Sequence, residues 1–223
     1  MKERGILFSG EMVRAILDGR KTQTRRTVRR QPDGTERWER QIAAATCIDA
    51  EPGTHFWRPL YRGGVGAGIV CPYGQPGDRL WVRETWSPWA DHMTRDYCID
   101  QRDPNAHLPA VYAANHPGCS SLDAGGDKRW HPSIHMPRAL ARLVLDVTEV
   151  RVERLQGISD ADARAEGIGA DPAHGEIPPS FEHAPREMFR HLWDSINGER
   201  APWTANPWVW VVTFKRIEVA RAE

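Results

Sequence analysis

The run from Leu143 to Val150 constrains the fold more than any other part of the chain. Leu143, Leu145, Val147 and Glu149 alternate with Val144, Asp146, Thr148 and Val150. That two-residue period belongs to a long strand. Trp208 to Phe214 reads as a closing strand, and Ile6-Leu7-Phe8 as a short opening one. After the turn Pro76-Gly77-Asp78, the segment Arg79 to Trp86 reads as a strand with Leu80, Val82 and Glu84 on one face and Trp81, Arg83 and Thr85 on the other. Helices are expected over Ser9–Leu17, with Met12, Val13 and Ile16 on one face, over Ser159–Ile168, capped by Ser159 and stopped by Gly167, and over Pro185–Ile196. Strands outnumber helices and do not alternate with them regularly. The expected class is therefore α+β, a β-barrel with flanking helices rather than a doubly wound sheet. The 223 residues read as a single domain with insertions at about 27–77 and 87–133. Residues 27–77 read as irregular, and Val111-Tyr112-Ala113 as the only strand of the second insertion.

Charge narrows the partners. Thirty Lys and Arg residues balance thirty Asp and Glu residues, which argues against tight, nonspecific binding to long nucleic acid. The cations are nonetheless concentrated locally: Arg20 to Arg30 contains no acid. No apolar run approaches membrane-spanning length, and the N-terminus has no apolar h-region of a secretory signal. Cys47, Cys71, Cys98 and Cys119 form no CxxC pair and read as free thiols of a cytoplasmic protein. His131 and His135 stand four apart, but Pro132 disfavours a regular helix there and no Glu lies between them, so no metal and no cofactor are expected. Most of the ten tryptophans should be core or lid residues.

The chemistry gathers at Gly19-Arg20-Lys21-Thr22-Gln23-Thr24-Arg25-Arg26, where the chain leaves its first helix at Gly19 and presents an amine, two hydroxyls and three guanidinium groups. A lysine near a threonine is a base and nucleophile pair if the amine is partly neutral. An ordinary lysine pKa near ~10.4 must fall by roughly three units for general-base work near pH 7. Burial and the cations of Arg20, Arg25 and Arg26 act in that direction. A regular strand would put Lys21 and Thr24 on opposite faces, so the chain must bend between them. Arg26 suits a carbonyl-rich or anionic ligand. Ser133 and His135 are candidates for hydrogen bonds to a ligand's edge.

Taken together, these motifs resemble the ASCH domain family, a branch of the PUA-like β-barrel superfamily. The likeness rests on Gly19 to Arg25, on Gly77 to Glu84, on Trp208 to Phe214, and on Ser133 to Pro137 followed by Glu153-Arg154-Leu155 and Ala165-Glu166-Gly167-Ile168. The last group looks like the longer variety found in phage and phage-derived proteins. The resemblance implies one of two functions. One is an amidohydrolase that removes the acyl group from N(4)-acetylcytidine, with Lys21 and Thr24 matching the family's Lys-x-x-Thr and Glu166 best matching its distant Glu. The other is an RNA- or DNA-binding module, a ribonuclease among the options, with Arg20 to Arg30 on phosphates and exposed Trp rings stacking bases. In the first, Thr24 attacks, Lys21 takes its proton and Glu166 assists, in a pocket walled by Trp and closed by the insertions.

Glu166 precedes Gly167 at a helix end, where a negative charge gains nothing from the helix dipole; that favours a partner such as Lys21. Glu84 is the rival carboxylate, since the rest of its strand face is apolar. It is also a candidate substrate-binding residue, with Arg26, Ser133 and His135.

Overall fold

The computed structural model describes residues 1–31, 37–42, 54–62, 64–88, 110–126, 129–169 and 185–217. The first helix, α1 (Gly10–Leu17), starts where expected: Ser9 accepts a hydrogen bond from the Met12 N–H and caps it. Gly19 follows with φ of 74°, a left-handed conformation that turns the chain out of the helix. Val13, Ala15 and Ile16 are buried.

Five strands form the main sheet: β1 (Glu3–Leu7), β2 (Gln23–Thr27), β6 (Arg79–Arg83), β9 (Val144–Arg154) and β10 (Trp208–Ile217). Their order is β1-β6-β9-β10-β2. Only β1 and β6 are parallel; the other neighbours are antiparallel. The architecture is mixed α+β, mostly strands with few helices. The edge strands β1 and β2 are linked through a side chain: Arg26 donates to the Leu7 carbonyl at 2.7 Å.

Strand β10 divides two cores. Trp208, Trp210, Val212 and Phe214 join Phe8, Val13, Leu80, Val82 and Leu145 in the larger one. Val209 and Val211 join Leu155, Phe189, Trp193 and Trp203 in the smaller. The smaller core is roofed by α2 (Asp160–Ala165) and α3 (Pro185–Asn197). A capping box between Ser159 and Asp162 opens α2, as the sequence predicted of Ser159.

Strand β9 departs from simple alternation. Val147 pairs with Phe214 and Glu149 with Thr213, so Thr148 bulges out of the ladder. Leu145 and Val147 before it, and Val150 after it, all reach the larger core.

The described part of residues 27–77 is not irregular, and that expectation is corrected. β3 (Arg37–Ile42), β4 (His55–Tyr61) and β5 (Gly64–Val65) form a second sheet. It packs on the first edge-on through tryptophans: Trp57 on Trp210 with centroids 4.9 Å apart, and Trp38 on Trp208 at 6.1 Å. The Gln31-Pro32-Asp33-Gly34 turn lies outside the described residues beyond Gln31. In the second insertion β7 (Trp86–Pro88) pairs with β8 (Ala110–Tyr112), so Val111-Tyr112-Ala113 is not its only strand, and Ala113 begins a 3-10 turn instead. Residues 89–109 of that insertion lie outside the described ones. Among the described residues no helix is long and apolar enough to cross a membrane. Cys71 and Cys119 are free thiols, and burial pushes the Cys71 thiol up to about 12; Cys47 and Cys98 are not among the described residues.

Candidate active site

Lys21 sits between helix and strand, where the chain needs to bend. Its N–H donates to the Ala15 carbonyl at 2.8 Å, which ties the turn to α1. Thr22 N–H then donates to Ala165 O, and Thr22 O accepts from Phe214 N–H. These bonds lay residues 21–22 against the end of α2, where Lys21 and Glu166 form an isolated antiparallel bridge. Regular pairing of β2 begins only at Gln23.

The Lys21 ammonium donates to the Glu166 carboxylate (Oε2) and to the Glu166 backbone carbonyl, both at 2.8 Å. The Lys21 side chain is fully shielded from solvent and the Glu166 side chain 4% exposed. Burial lowers the Lys21 pKa from its ordinary 10.5; the Glu166 charge and hydrogen bond oppose this, while Arg26 and Arg25 add to it, and the net shift is downward. The amine is thus held in place by a carboxylate yet pushed toward its neutral form.

Thr24 is the second residue of β2, opposite Val212, a residue of the larger core. Arg26 follows two positions on, so both take the larger-core face. Phe8 marks this side of the sheet: Lys21 Nζ lies 5.5 Å from its ring centroid and the Arg26 guanidinium 5.4 Å. Lys21, bonded to Glu166, and Arg26 thus both lie against Phe8, and Thr24 stands between them in sequence on the larger-core face.

Arg25 takes the opposite face and completes the support of Glu166. It donates to Glu166 Oε1 at 3.3 Å, and its guanidinium lies 3.4 Å from Glu153 and 3.5 Å from Asp162. Each Glu166 oxygen thus has a cationic partner, and the carboxylate is fixed in orientation. Sequence reasoning treated Arg25 only as a neighbouring cation. Its role depends on contacts 128 and 141 residues away along the chain, which no local pattern reveals.

The remaining predicted residues form a separate group. Glu84 is buried with both oxygens bound by Arg142, at 2.8 Å each, so its carboxylate is engaged structurally rather than presented to a ligand. Its backbone N–H donates to Met136 Sδ at 3.2 Å. Ser133 and His135 belong to a 3-10 turn just before Met136, and His135 is exposed. The turn is attached to β6 by a hydrogen bond from Arg83 to the Ile134 carbonyl. Leu7 and Phe8 form the seam between the two groups, because Leu7 O accepts from Arg26 and Phe8 N–H donates to Arg83 O. The ring over the amine is Phe8, while Trp57, Trp208 and Trp210 pack in the larger core.

Gly167 adjusts the approach of α2 to Lys21. Its φ is 91°, and a Cβ there would lie 2.9 Å from Ala15 Cβ and 3.2 Å from Lys21 Cβ. Gly167→Ala is expected to cost about 1–3 kcal/mol in chemical denaturation, through left-handed strain and this crowding. Gly157→Ala, where nothing lies within 4 Å, is the control and should cost less. Equal costs would show that Gly167 is not specifically required.

Comparison with protein-family models, with curated proteins and with solved structures gives no match for this chain.

Proposed function

We propose that the chain is a cytoplasmic amidohydrolase that removes the acyl group from N(4)-acylated cytidine or cytosine. One observation carries the reading: a solvent-shielded Lys21 amine of lowered pKa, bonded to Glu166 at 2.8 Å, beside a strand that presents Thr24 on the side of the shared Phe8 ring. The substrate class follows from the resemblance of Gly19 to Arg25 and of Ala165 to Ile168 to ASCH domains. On the same reading the five-stranded sheet is a PUA-like barrel whose seam lies at the Arg26–Leu7 contact.

The chemistry is acyl transfer to the Thr24 hydroxyl. Neutral Lys21 accepts the hydroxyl proton as Thr24 Oγ bonds to the acyl carbon, giving a tetrahedral oxyanion. Arg26 or a backbone N–H stabilises that oxygen. The C–N bond then breaks, the Lys21 ammonium returns its proton to the departing N(4) amine, and acyl-threonine remains. Water, positioned by Glu166 and deprotonated by Lys21, attacks the ester; the acyl–oxygen bond breaks, Lys21 returns the proton to Thr24 Oγ, and the carboxylic acid leaves. Glu166 keeps the amine in place throughout. Since Lys21 and Thr24 are almost wholly covered, substrate access requires the partly exposed Arg26 to leave its place over Phe8.

The test is incubation with N(4)-acetylcytidine, following acetate and cytidine together. Stoichiometric release is expected, and no acetate would overturn the proposal. The pH profile supplies a second check. Lys21 works as a neutral base, so kcat/KM should rise with pH as the amine deprotonates and then level off. Because burial lowers the folded-state pKa, that limb should be centred below 10.5. A limb at or above that value would remove Lys21 from the role of base.

Nucleic-acid binding through the basic run has less support. Arg20 is bonded to Asp18 and to Gly167 O, Arg25 is enclosed by acids, and Arg26 lies over Phe8; Arg29 and Arg30 are exposed.

A further inference from the structure

At the far end of β2 from Lys21 lies a cavity of about 540 Å³. That is within the size range of small-ligand sites. It is assembled from three distant parts of the chain: Arg29 beyond β2, Arg154 at the end of β9, and Arg200 just after α3. Val28, Pro207 and Trp208 contribute its apolar wall, and no Asp or Glu is among its described lining residues.

The wall is fixed. The Gln31 amide donates to Val28 O and Trp208 O and accepts from Trp208 N–H at 2.7 Å, which clamps the end of β2 to the start of β10. Arg154 is fixed as well. Its guanidinium lies 4.3 Å from the Trp208 ring centroid and donates to the Asn206 carbonyl at 3.0 Å. Asn206 adopts a left-handed φ of 44°, held by its own side chain accepting from Gln156 N–H at 2.8 Å. Arg29 and Arg200 are exposed and have no side-chain partner among the described residues.

Among the described residues, one anchored and two unpaired guanidinium groups border the cavity and no acid does, so they repel one another until an anion is placed between them. Each offers a planar fork of N–H donors suited to phosphate oxygens. We propose that this cavity binds a phosphate group, with Arg154 as the fixed contact and Arg29 and Arg200 as arms that close on it. Eight residues separate Lys21 from Arg29, roughly 25 Å along an extended strand, so one cytidine cannot occupy both places. The two proposals therefore stand or fall separately.

Calorimetric titration of the full chain with pyrophosphate tests the assignment, with sodium chloride at matched ionic strength as reference. One saturable site is expected. Arg29→Met and Arg200→Met should each weaken binding roughly tenfold, the loss of a charged hydrogen bond. Arg30→Met, an exposed neighbour outside the cavity lining, should bind as wild type. Non-saturable heats, or an equal loss in Arg30→Met, would overturn the proposal in favour of diffuse charge. A single-stranded oligonucleotide added as competitor identifies the source of the phosphate. If it displaces pyrophosphate, with the same dependence on Arg29 and Arg200, the group is supplied by a polynucleotide backbone. If pyrophosphate stays bound, the cavity takes a small phosphate compound. Both results support the phosphate site.

Discussion

Thr24→Ala is expected to lower kcat for N(4)-acetylcytidine by about 10⁴-fold or more, the scale seen when a covalent nucleophile is removed. Its effect on folding should be small, since one hydroxyl is lost from a residue whose strand pairing with Val212 remains. Lys21→Met should match it in activity, because an unactivated hydroxyl reacts hardly better than none. The double variant should fall no further than either single one, as expected for residues acting as a unit. Stability separates the two. Lys21→Met removes one partner of a buried ion pair and leaves Glu166 with Arg25, so its unfolding midpoint should drop while that of Thr24→Ala stays close to wild type. Thr24→Ser should keep substantial activity, because a hydroxyl remains in place. A Thr24→Ala enzyme within tenfold of wild type would sink the nucleophile assignment, and a hydroxyl-independent route such as direct attack by water would take its place.

The largest stability effect is expected at Glu84 and Arg142. Each side chain is 1% exposed, and two hydrogen bonds of 2.8 Å join them in a bidentate pair. Arg142 also donates to Asn115 Oδ1 at 2.9 Å and lies 4.2 Å from the Tyr112 ring centroid. The pair therefore fastens the end of β6 to the segment after β8, which in turn touches α1 where Arg14 donates to Ala114 O. Arg142→Met should destabilise the fold by about 3–5 kcal/mol, because it abandons a carboxylate inside the protein. Glu84→Leu with Arg142→Met should cost less than Arg142→Met alone, since the orphaned charge is gone and apolar groups fill the space. Urea denaturation of the four proteins completes the cycle. A loss under about 1 kcal/mol for the single variant would mean that water reaches Glu84.

Local signals in the sequence were dependable guides where the physics was local. Ser9 and Gly19 bound α1, Ser159 opens α2, and the apolar face of Leu80 and Val82 is buried with Glu84 at its end. The pairing of Lys21 with Glu166 was legible as well, from the awkward placement of an acid at a helix C-terminus together with the resemblance. What escaped notice depends on distant pairing. Arg37-Trp38-Glu39-Arg40-Gln41-Ile42 has too few apolar residues to announce a strand, and it is one because β4 pairs with it and Trp38 packs against Trp208. The bulge at Thr148 is set by the register against β10 and leaves no mark in the composition. Arg25 looked like part of a basic patch, yet its guanidinium is fully shielded from solvent among Glu153, Asp162 and Glu166. The arginine cavity was hidden for the same reason, its arms being supplied from positions 29, 154 and 200.

Thr148 gives β9 two reading frames. Upstream of it odd-numbered residues face the larger core, and downstream even-numbered ones do, as Val147 and Val150 show. The change of frame is what puts Glu149, Arg151 and Glu153 on the side of Arg25 and Gln23, where Arg151 bonds to Glu149 and Glu153, and Glu153 to Arg25. Were Thr148 paired opposite Thr213 as a regular strand residue, with the upstream pairing kept, the acids would turn into the apolar interior while Val150 and Val152 turned outward. Arg25 would then lose Glu153 and pull on Glu166 with a different balance of charge, and the setting of the Lys21 amine would change with it. An exposed threonine, far from Lys21 in sequence, therefore matters to the site by standing outside the ladder rather than by its side chain.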